Sequence, residues 1–318
     1  MEKSTYDLIL SKMKKYSVAT YTDLAFSGLT TLGCGGKIKI TAYPDTLKKL
    51  VRIVRLFERL GVSYCLLGRG SNVLASDDDY DGAVIVTTKL NKLVIRGRSA
   101  YALCGASTVA LASQLQSRAL TGGEFLACLP ATVGGAVVTN AGCYGQQIKD
   151  IVRGVKVLYY GKIRRISGKK CNFGKRKSVF SQIDGYTILS VKMKLARSTQ
   201  NEVATRITEM RKRKSATQPL NYRSAGSALY HDKVAVSRLL DNAGLKGYTV
   251  GGARVSEKHA GFVINIDKAT SKDLYLVIRH MQSTLRERYG IDAKLEIRLI
   301  NFDKGSSTKD RDDVFTGS

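Results

Sequence analysis

Between residues 37 and 43 apolar and polar side chains alternate, with Ile38, Ile40 and Ala42 on one side and Lys37, Lys39 and Thr41 on the other. Successive side chains of an extended chain point to opposite faces, so this period of two predicts a half-buried strand. Pro44 and Asp45 stop it. The spacing then changes. Leu47, Leu50, Val51, Val54 and Phe57 fall on one face at helical spacing, which predicts a helix over 46–60 closed by Gly61. A short apolar run over 63–67 predicts a buried strand that leads directly into Gly68-Arg69-Gly70-Ser71-Asn72. A glycine-rich turn therefore sits at the end of a strand–helix–strand unit.

The same reading predicts strands over 82–88, 155–160 and 187–195, then a helix over 202–213 with Val203, Ile207 and Met210 on one face. Beyond it come a short helix ending at Asn242-Ala243-Gly244 and a strand over 260–266. A long helix over 272–289 carries Leu274, Val277, Ile278, Met281 and Leu285 as a stripe, with Thr270 or Ser271 as its cap. A last strand over 294–300 would set Glu296 and Arg298 on one face, opposite Leu295, Ile297 and Leu299. The mixture predicts an α+β chain whose first half serves one ligand and whose second half folds separately. The boundaries expected are 1–203, in lobes of about 1–80 and 81–203, then 204–302, and a flexible tail over 303–318.

Composition narrows the classes. A chain of 318 residues with 43% hydrophobic and 25% charged residues is globular rather than disordered. No apolar run reaches the roughly 20 residues needed to cross a bilayer, and residues 1–15 lack an apolar signal core, so a cytoplasmic protein without stable membrane insertion is expected. Six cysteines without a C-x-x-C pair and only three histidines argue against a metal site or disulfides. Lys and Arg number 52 against 26 Asp and Glu, a formal charge of +26 that draws anions. The basic residues are spread along the chain, there is no Trp, and no stacking aromatics are interleaved with the basic runs. That favours steering of anionic small molecules over nucleic-acid binding.

Candidate chemistry lies in two glycine-rich segments, 67–74 and 129–142. Glycine lets backbone N–H groups approach phosphate oxygens, and Ser, Thr and Asn add donors, so two such loops suit a bound dinucleotide. Single-loop fingerprints fail: Val73 stands where a Rossmann loop needs its third glycine, and no phosphate-loop motif is present. Ser227, in Ser224-Ala225-Gly226-Ser227, lacks the flanking pattern of a hydrolase nucleophile. On residue type alone, Arg176, Ser227 and Glu296 fit a solvated surface as readily as a site.

Taken in order, these segments resemble the MurB-type UDP-N-acetylmuramate dehydrogenases, also called UDP-N-acetylenolpyruvoylglucosamine reductases, in their shorter subclass. The resemblance runs from about Leu29 to Ile300. It rests on Thr30-Thr31-Leu32-Gly33-Cys34-Gly35-Gly36, on 67–74, on Gly123-Glu124 with 129–145, and on Arg176-Lys177-Ser178 with Phe180. It continues through 218–227, 243–247, 251–265 (GGARVSEKHAGFVIN) and 295–300. It implies a two-lobed FAD-binding domain of the PCMH or vanillyl-alcohol-oxidase kind and a C-terminal α+β substrate-binding domain, in an enzyme expected to be monomeric. It implies a flavoprotein oxidoreductase of peptidoglycan synthesis, hence of cell wall, cell shape and division, with FAD as cofactor, NADPH as reductant and a UDP-sugar as substrate. By the same resemblance Gly68, Gly70, Ser71, Asn72, Thr132, Gly134, Gly135, Asn140, Ala141 and Gly142 would hold FAD. Ser227 would be the proton donor, and Arg176 and Glu296 would polarise the substrate carboxylate and stabilise the enolate.

The chain departs from the family pattern at Lys175, where a tyrosine is usual, at Ala131, where a glycine is usual, and at Arg223, where a proline is usual. Two rival readings are a flavoenzyme of the same fold with another substrate and a catalytically weakened relative. A basic nucleic-acid-binding protein is a third, from a different class.

Overall fold

The computed structural model describes residues 1–302. The tail expected over 303–318 lies outside the described residues. The chain packs into two compact units, one made of Met1–Asp23, Lys39–Arg69 and Asp81–Lys214 and the other of Leu24–Ile38, Gly70–Tyr80 and the chain from Ser215 onward. Each is described by itself.

The larger unit contains the strand–helix–strand pattern that opens the sequence argument. The alternating segment forms the strand Lys37–Tyr43, with Ile38, Ile40 and Ala42 fully buried. The helix that follows is Leu47–Arg59, and Thr46 caps it by accepting the Lys49 N–H at 3.3 Å. An N-cap of this kind satisfies a backbone donor that the first turn leaves without a partner. Leu50, Ile53, Val54, Leu56 and Phe57 form its buried face. Tyr64–Leu67 then pairs in parallel with Tyr80–Val86. A second sheet runs in the order Lys162–Ser167, Val152–Tyr159, Tyr186–Lys194, Ser99–Leu103, Leu93–Arg96, antiparallel throughout. One core, from Ile9 and Met13 through Val157 and Met193 to Ile207, fills this unit. The helix Lys3–Lys15 was not foreseen: only Ile9 and Met13, one turn apart, are buried, too few to mark an apolar stripe.

The smaller unit is built around the helix Ser271–Tyr289, closed at its N-terminus by a reciprocal capping box. Asp273 N–H donates to Thr270 Oγ1 at 3.1 Å, and Thr270 N–H donates to the Asp273 carboxylate at 3.0 Å. Its predicted stripe is the buried one, and it shares a core with Ala225, Leu229, Val255 and Val263. An antiparallel sheet in the order Arg223–Ser227, Phe262–Asn265, Ala253–Val255, Thr249–Val250 lies in this unit.

The continuous strand expected over 294–300 is two strands. Lys294–Leu295 pairs antiparallel with Leu229–Tyr230, and Arg298–Ile300 pairs in parallel with Val73–Ala75. Glu296 and Ile297 form the break, with Ile297 buried and Glu296 half-buried. The alternation is real, but the chain changes partners in the middle of it.

Candidate active site

In the larger unit the two glycine-rich segments meet. A Cβ on Gly68 would collide with Oγ1 of Thr132, so only a hydrogen there permits the approach. Thr132 caps the helix Val133–Val138 by accepting the Gly135 N–H at 3.2 Å. The neighbouring donors are also spent within the protein: Val133 N–H reaches Ala106 O and Gly134 N–H reaches Cys104 O, both at 2.8 Å. This segment thus has the character of a packed shelf, offering shape rather than free donors in its first turn.

Residues 70–72, in the smaller unit, behave differently. Gly70 has φ +63, and a Cβ there would run into the backbone of Leu29 and Thr30. Among the described residues, the N–H groups of Gly70, Ser71 and Asn72 donate to no protein acceptor. A run of backbone donors of this kind is the natural complement of an anionic oxygen.

Arg176 sits in a tight turn of the larger unit, bridged by Gly174 N–H to Lys177 O at 3.0 Å. It has the left-handed φ of +57, while its neighbours Lys175 and Lys177 face solvent and Arg176 itself is half-buried. Its Nη1 donates to the Gly142 carbonyl at 3.3 Å. The turn is tethered by Asn140, which is 1% exposed and also left-handed. Asn140 Nδ2 donates to Gly174 O at 2.7 Å and to Gln147 Oε1 at 2.8 Å, and its Oδ1 accepts the Lys149 N–H at 3.2 Å. The side chain expected to touch a cofactor is therefore occupied in holding the arginine turn. Ala141 O accepts from Ile148 N–H at 2.9 Å, and Gly142 pairs with Gln147 in the short hairpin that follows.

Ser227 and Glu296 both belong to the smaller unit. Ser227 ends an edge strand and lies beyond a bulge containing Gly226, at φ +82, which turns the strand before the serine. The next residue, Ala228, donates to Gly261 O at 2.9 Å and accepts the Glu296 N–H at 2.8 Å. The Glu296 carbonyl in turn accepts Nδ2 of Asn72 at 2.9 Å, and Asn72 O accepts the Arg298 N–H at 3.0 Å. Asn72, expected as a cofactor ligand, spends its side-chain donor on the peptide of the expected acid residue. Gly261 N–H donates to Nδ1 of His259 at 3.1 Å, and burial pushes that imidazole below its ordinary value.

The three departures have structural accounts of different depth. Arg223 stands at the start of the edge strand and lays its side chain over Gly33, where any Cβ would strike the guanidinium. Ala131 is absent from the residues of positive φ, so its methyl adds no backbone strain. Lys175 points outward beside the inward Arg176, and nothing in the structure explains its replacement of a tyrosine.

Two family models match: an FAD binding domain over residues 38–167 and the UDP-N-acetylenolpyruvoylglucosamine reductase C-terminal domain over 218–300. The UDP-N-acetylenolpyruvoylglucosamine reductase of Limosilactobacillus reuteri is 35% identical over 84% of this chain and 90% of its own length. The chain belongs to the UDP-N-acetylenolpyruvoylglucosamine reductase family. The reductase of Clostridium kluyveri, 34% identical over 86% of this chain and 90% of its own, agrees. The crystal structure of the Thermus caldophilus reductase superposes with a TM-score of 0.76 at 28% identity, covering 89% of this chain and 98% of that one. The α+β reading, an FAD-binding domain followed by the reductase family's C-terminal domain, stands on the same matches. No helix among the described residues is long and apolar enough to cross a membrane.

Some of the reductase fold's working residues left no mark in the sequence reading. Gln147, which braces Asn140, sits in a polar stretch with no pattern to single it out. Cys128 and Cys143 hydrogen-bond to each other, although their separation matches no known spacing and both read as small hydrophobes.

Proposed function

We propose that this chain reduces UDP-N-acetylenolpyruvoylglucosamine to UDP-N-acetylmuramate in the cytoplasm, using FAD as its resident redox group and NADPH as reductant. Residues 1–203 would carry the FAD and 204–302 the UDP-sugar. The residues fit a dinucleotide: Gly68 and Gly70 stand where a side chain would clash, and the donors of Gly70, Ser71 and Asn72 are open. Thr132, Gly134, Gly135, Asn140, Ala141 and Gly142 supply the packed surface on which it would lie. When bound, FAD supplies two-electron transfer between NADPH and the enol ether.

The chain's own residues then have three tasks. The Arg176 guanidinium, held at a fixed place by its left-handed turn, is suited to a substrate carboxylate through paired N–H donors. Reduction at the terminal carbon of the enol ether makes the adjoining carbon enolate-like. Ser227 delivers the proton to that carbon from its Oγ. Glu296, as the protonated acid, donates a hydrogen bond where negative charge accumulates on the carboxylate.

One observation carries this reading most directly. Two hydrogen bonds, Asn72 to Glu296 and Glu296 to Ala228, connect the open-donor loop to the expected acid and to the neighbour of the expected proton donor. A merely solvated Glu296 has no need of such a connection. The test is spectroscopic: the purified chain should be yellow, lose its flavin colour with NADPH under anaerobic conditions, and regain it on adding the enolpyruvyl sugar. Colour that bleaches and does not return with this substrate would leave a flavoprotein with another acceptor.

A further inference from the structure

Cys128 closes the short helical turn Glu124–Cys128, and Cys143 stands in the hairpin strand Gly142–Cys143, both in the larger unit. The turn brings the two sulfurs into mutual hydrogen-bond contact. The Cys143 thiol also reaches the Phe125 carbonyl at 3.6 Å. Cys143 is partly exposed and Cys128 buried, as are Cys34, Cys65, Cys104 and Cys171. Positive charge surrounds the pair. Lys214, itself largely buried, donates from Nζ to the Cys128 carbonyl at 2.6 Å, and Arg211 and Arg176 act on the two sulfurs from their own elements. Tyr144 faces both thiols, and the Arg213 guanidinium lies 4.9 Å from the centre of its ring.

We propose that Cys128 and Cys143 form a peroxide-reactive dithiol that closes reversibly into an intramolecular disulfide. The spacing of two thiols in contact, one of them reachable from solvent, is what such a bond needs. A cationic setting favours the thiolate, the nucleophilic form. In agreement, the hydrogen bond from Cys143 draws the Cys128 thiol below its ordinary range while pushing Cys143 up, and Lys214 and Arg211 add to the downward pull on Cys128.

The chemistry balances with hydrogen peroxide as oxidant. The Cys128 thiolate attacks one peroxide oxygen, the O–O bond breaks, and hydroxide leaves to take up a proton as water. Cys128 is then a sulfenic acid. The Cys143 sulfur attacks the Cys128 sulfur, the S–O bond breaks, and a second water departs with the Cys143 proton. Two thiols and one peroxide thus yield one disulfide and two waters. A small dithiol such as dithiothreitol returns both sulfurs to thiols by exchange.

The test uses the full chain, fully reduced, given a slight molar excess of hydrogen peroxide at neutral pH, then alkylated and digested for mass spectrometry. The expected product is a peptide pair linked through Cys128 and Cys143, formed before any of the four buried cysteines is modified and removed by dithiothreitol. Cys143→Ser should abolish the linked pair while Cys128 still reacts. Lys214→Met should slow the loss of the Cys128 thiol about threefold or more at neutral pH, since less of it is thiolate, and Lys214→Arg should restore the rate. A linked pair that never forms at peroxide doses that oxidise methionine overturns the proposal. So does a Cys128 rate that is the same in Lys214→Met, Lys214→Arg and the unaltered chain, because the cationic setting would then be irrelevant.

Discussion

Arg176 and Glu296 are held in opposite ways. Arg176 occupies a strained turn, and a buried amide side chain, that of Asn140, keeps the turn in place through Gly174. Glu296 is held through its own main chain, by its N–H to Ala228 and its carbonyl to Asn72, at a point where one strand pairing ends and another begins. The arginine depends on one side chain with several partners, so its support is concentrated. The glutamate depends on ladders that continue on either side, so its support is shared. Concentrated support should fail abruptly on a single substitution, and shared support should give way by degrees.

Four substitutions sharpen that contrast. Ser227→Ala should have the largest effect, slowing reoxidation of the flavin by the enolpyruvyl sugar by about 10³-fold, or about 4 kcal/mol of barrier, with flavin reduction by NADPH intact. Stopped-flow absorbance separates the two half-reactions, and an unchanged reoxidation rate would return Ser227 to the role of a turn residue. Asn140→Ala comes next. It strands the Gly174 carbonyl, Gln147 Oε1 and the Lys149 N–H, and should cost about 3 kcal/mol of stability in denaturant, from one to three per buried group left unmatched. A loss under about 1 kcal/mol would mean that the turn of Arg176 needs no tether.

Asn72→Ala removes a single bond from a continuous ladder and should cost only about 1 kcal/mol, with a smaller loss of substrate turnover than Asn140→Ala. If the two were equal, the distinction between concentrated and shared support would not hold. The smallest effect concerns acid. Burial lowers the His259 imidazole, so the unfolded chain binds that proton more readily than the folded one. The stability His259 contributes is present above about pH 6.5, the unfolded value, and is lost as pH falls below it. Protonation at Nδ1 also removes the acceptor of the Gly261 N–H, one residue from the carbonyl that pairs Ala228. Amide exchange at Ala228, corrected for its intrinsic pH dependence, should speed up between pH 7.5 and 5.5 and do so less in His259→Asn. Equal acceleration in both chains would free Ala228 from any dependence on His259.

Much of the architecture was legible because it is periodic. The alternation over 37–43 and the stripe from Leu274 to Leu285 each need only local spacing, and the structure returns them as a strand and a helix with the expected faces. The cofactor and substrate class were legible through motifs rather than patterns. What local spacing misses is any change of partner. Leu295 and Leu299 look alike in sequence but pair with Leu229 and Leu74, segments far apart along the chain. The same blindness hid the true work of Asn140 and Asn72. An asparagine in a glycine-rich stretch reads as a donor to a ligand, and only the folded chain shows its amide committed to a neighbouring carbonyl. The approach of Cys128 to Cys143 is the product of a turn and a hairpin, neither of which has a thiol signature.

The pairing of Arg298–Ile300 with Val73–Ala75 also sets a clock on biosynthesis. Asn72 and Glu296 are 224 residues apart, and a ribosome adding about 5–20 residues per second takes roughly 11–45 s to travel that distance. For all of that time the Val73–Ala75 strand has been made and its parallel partner has not. An open strand edge is a template for foreign pairing, so the nascent chain passes through an interval of exposure that the finished protein never shows. Slower translation lengthens that interval, and a chain stopped just short of Arg298 never leaves it.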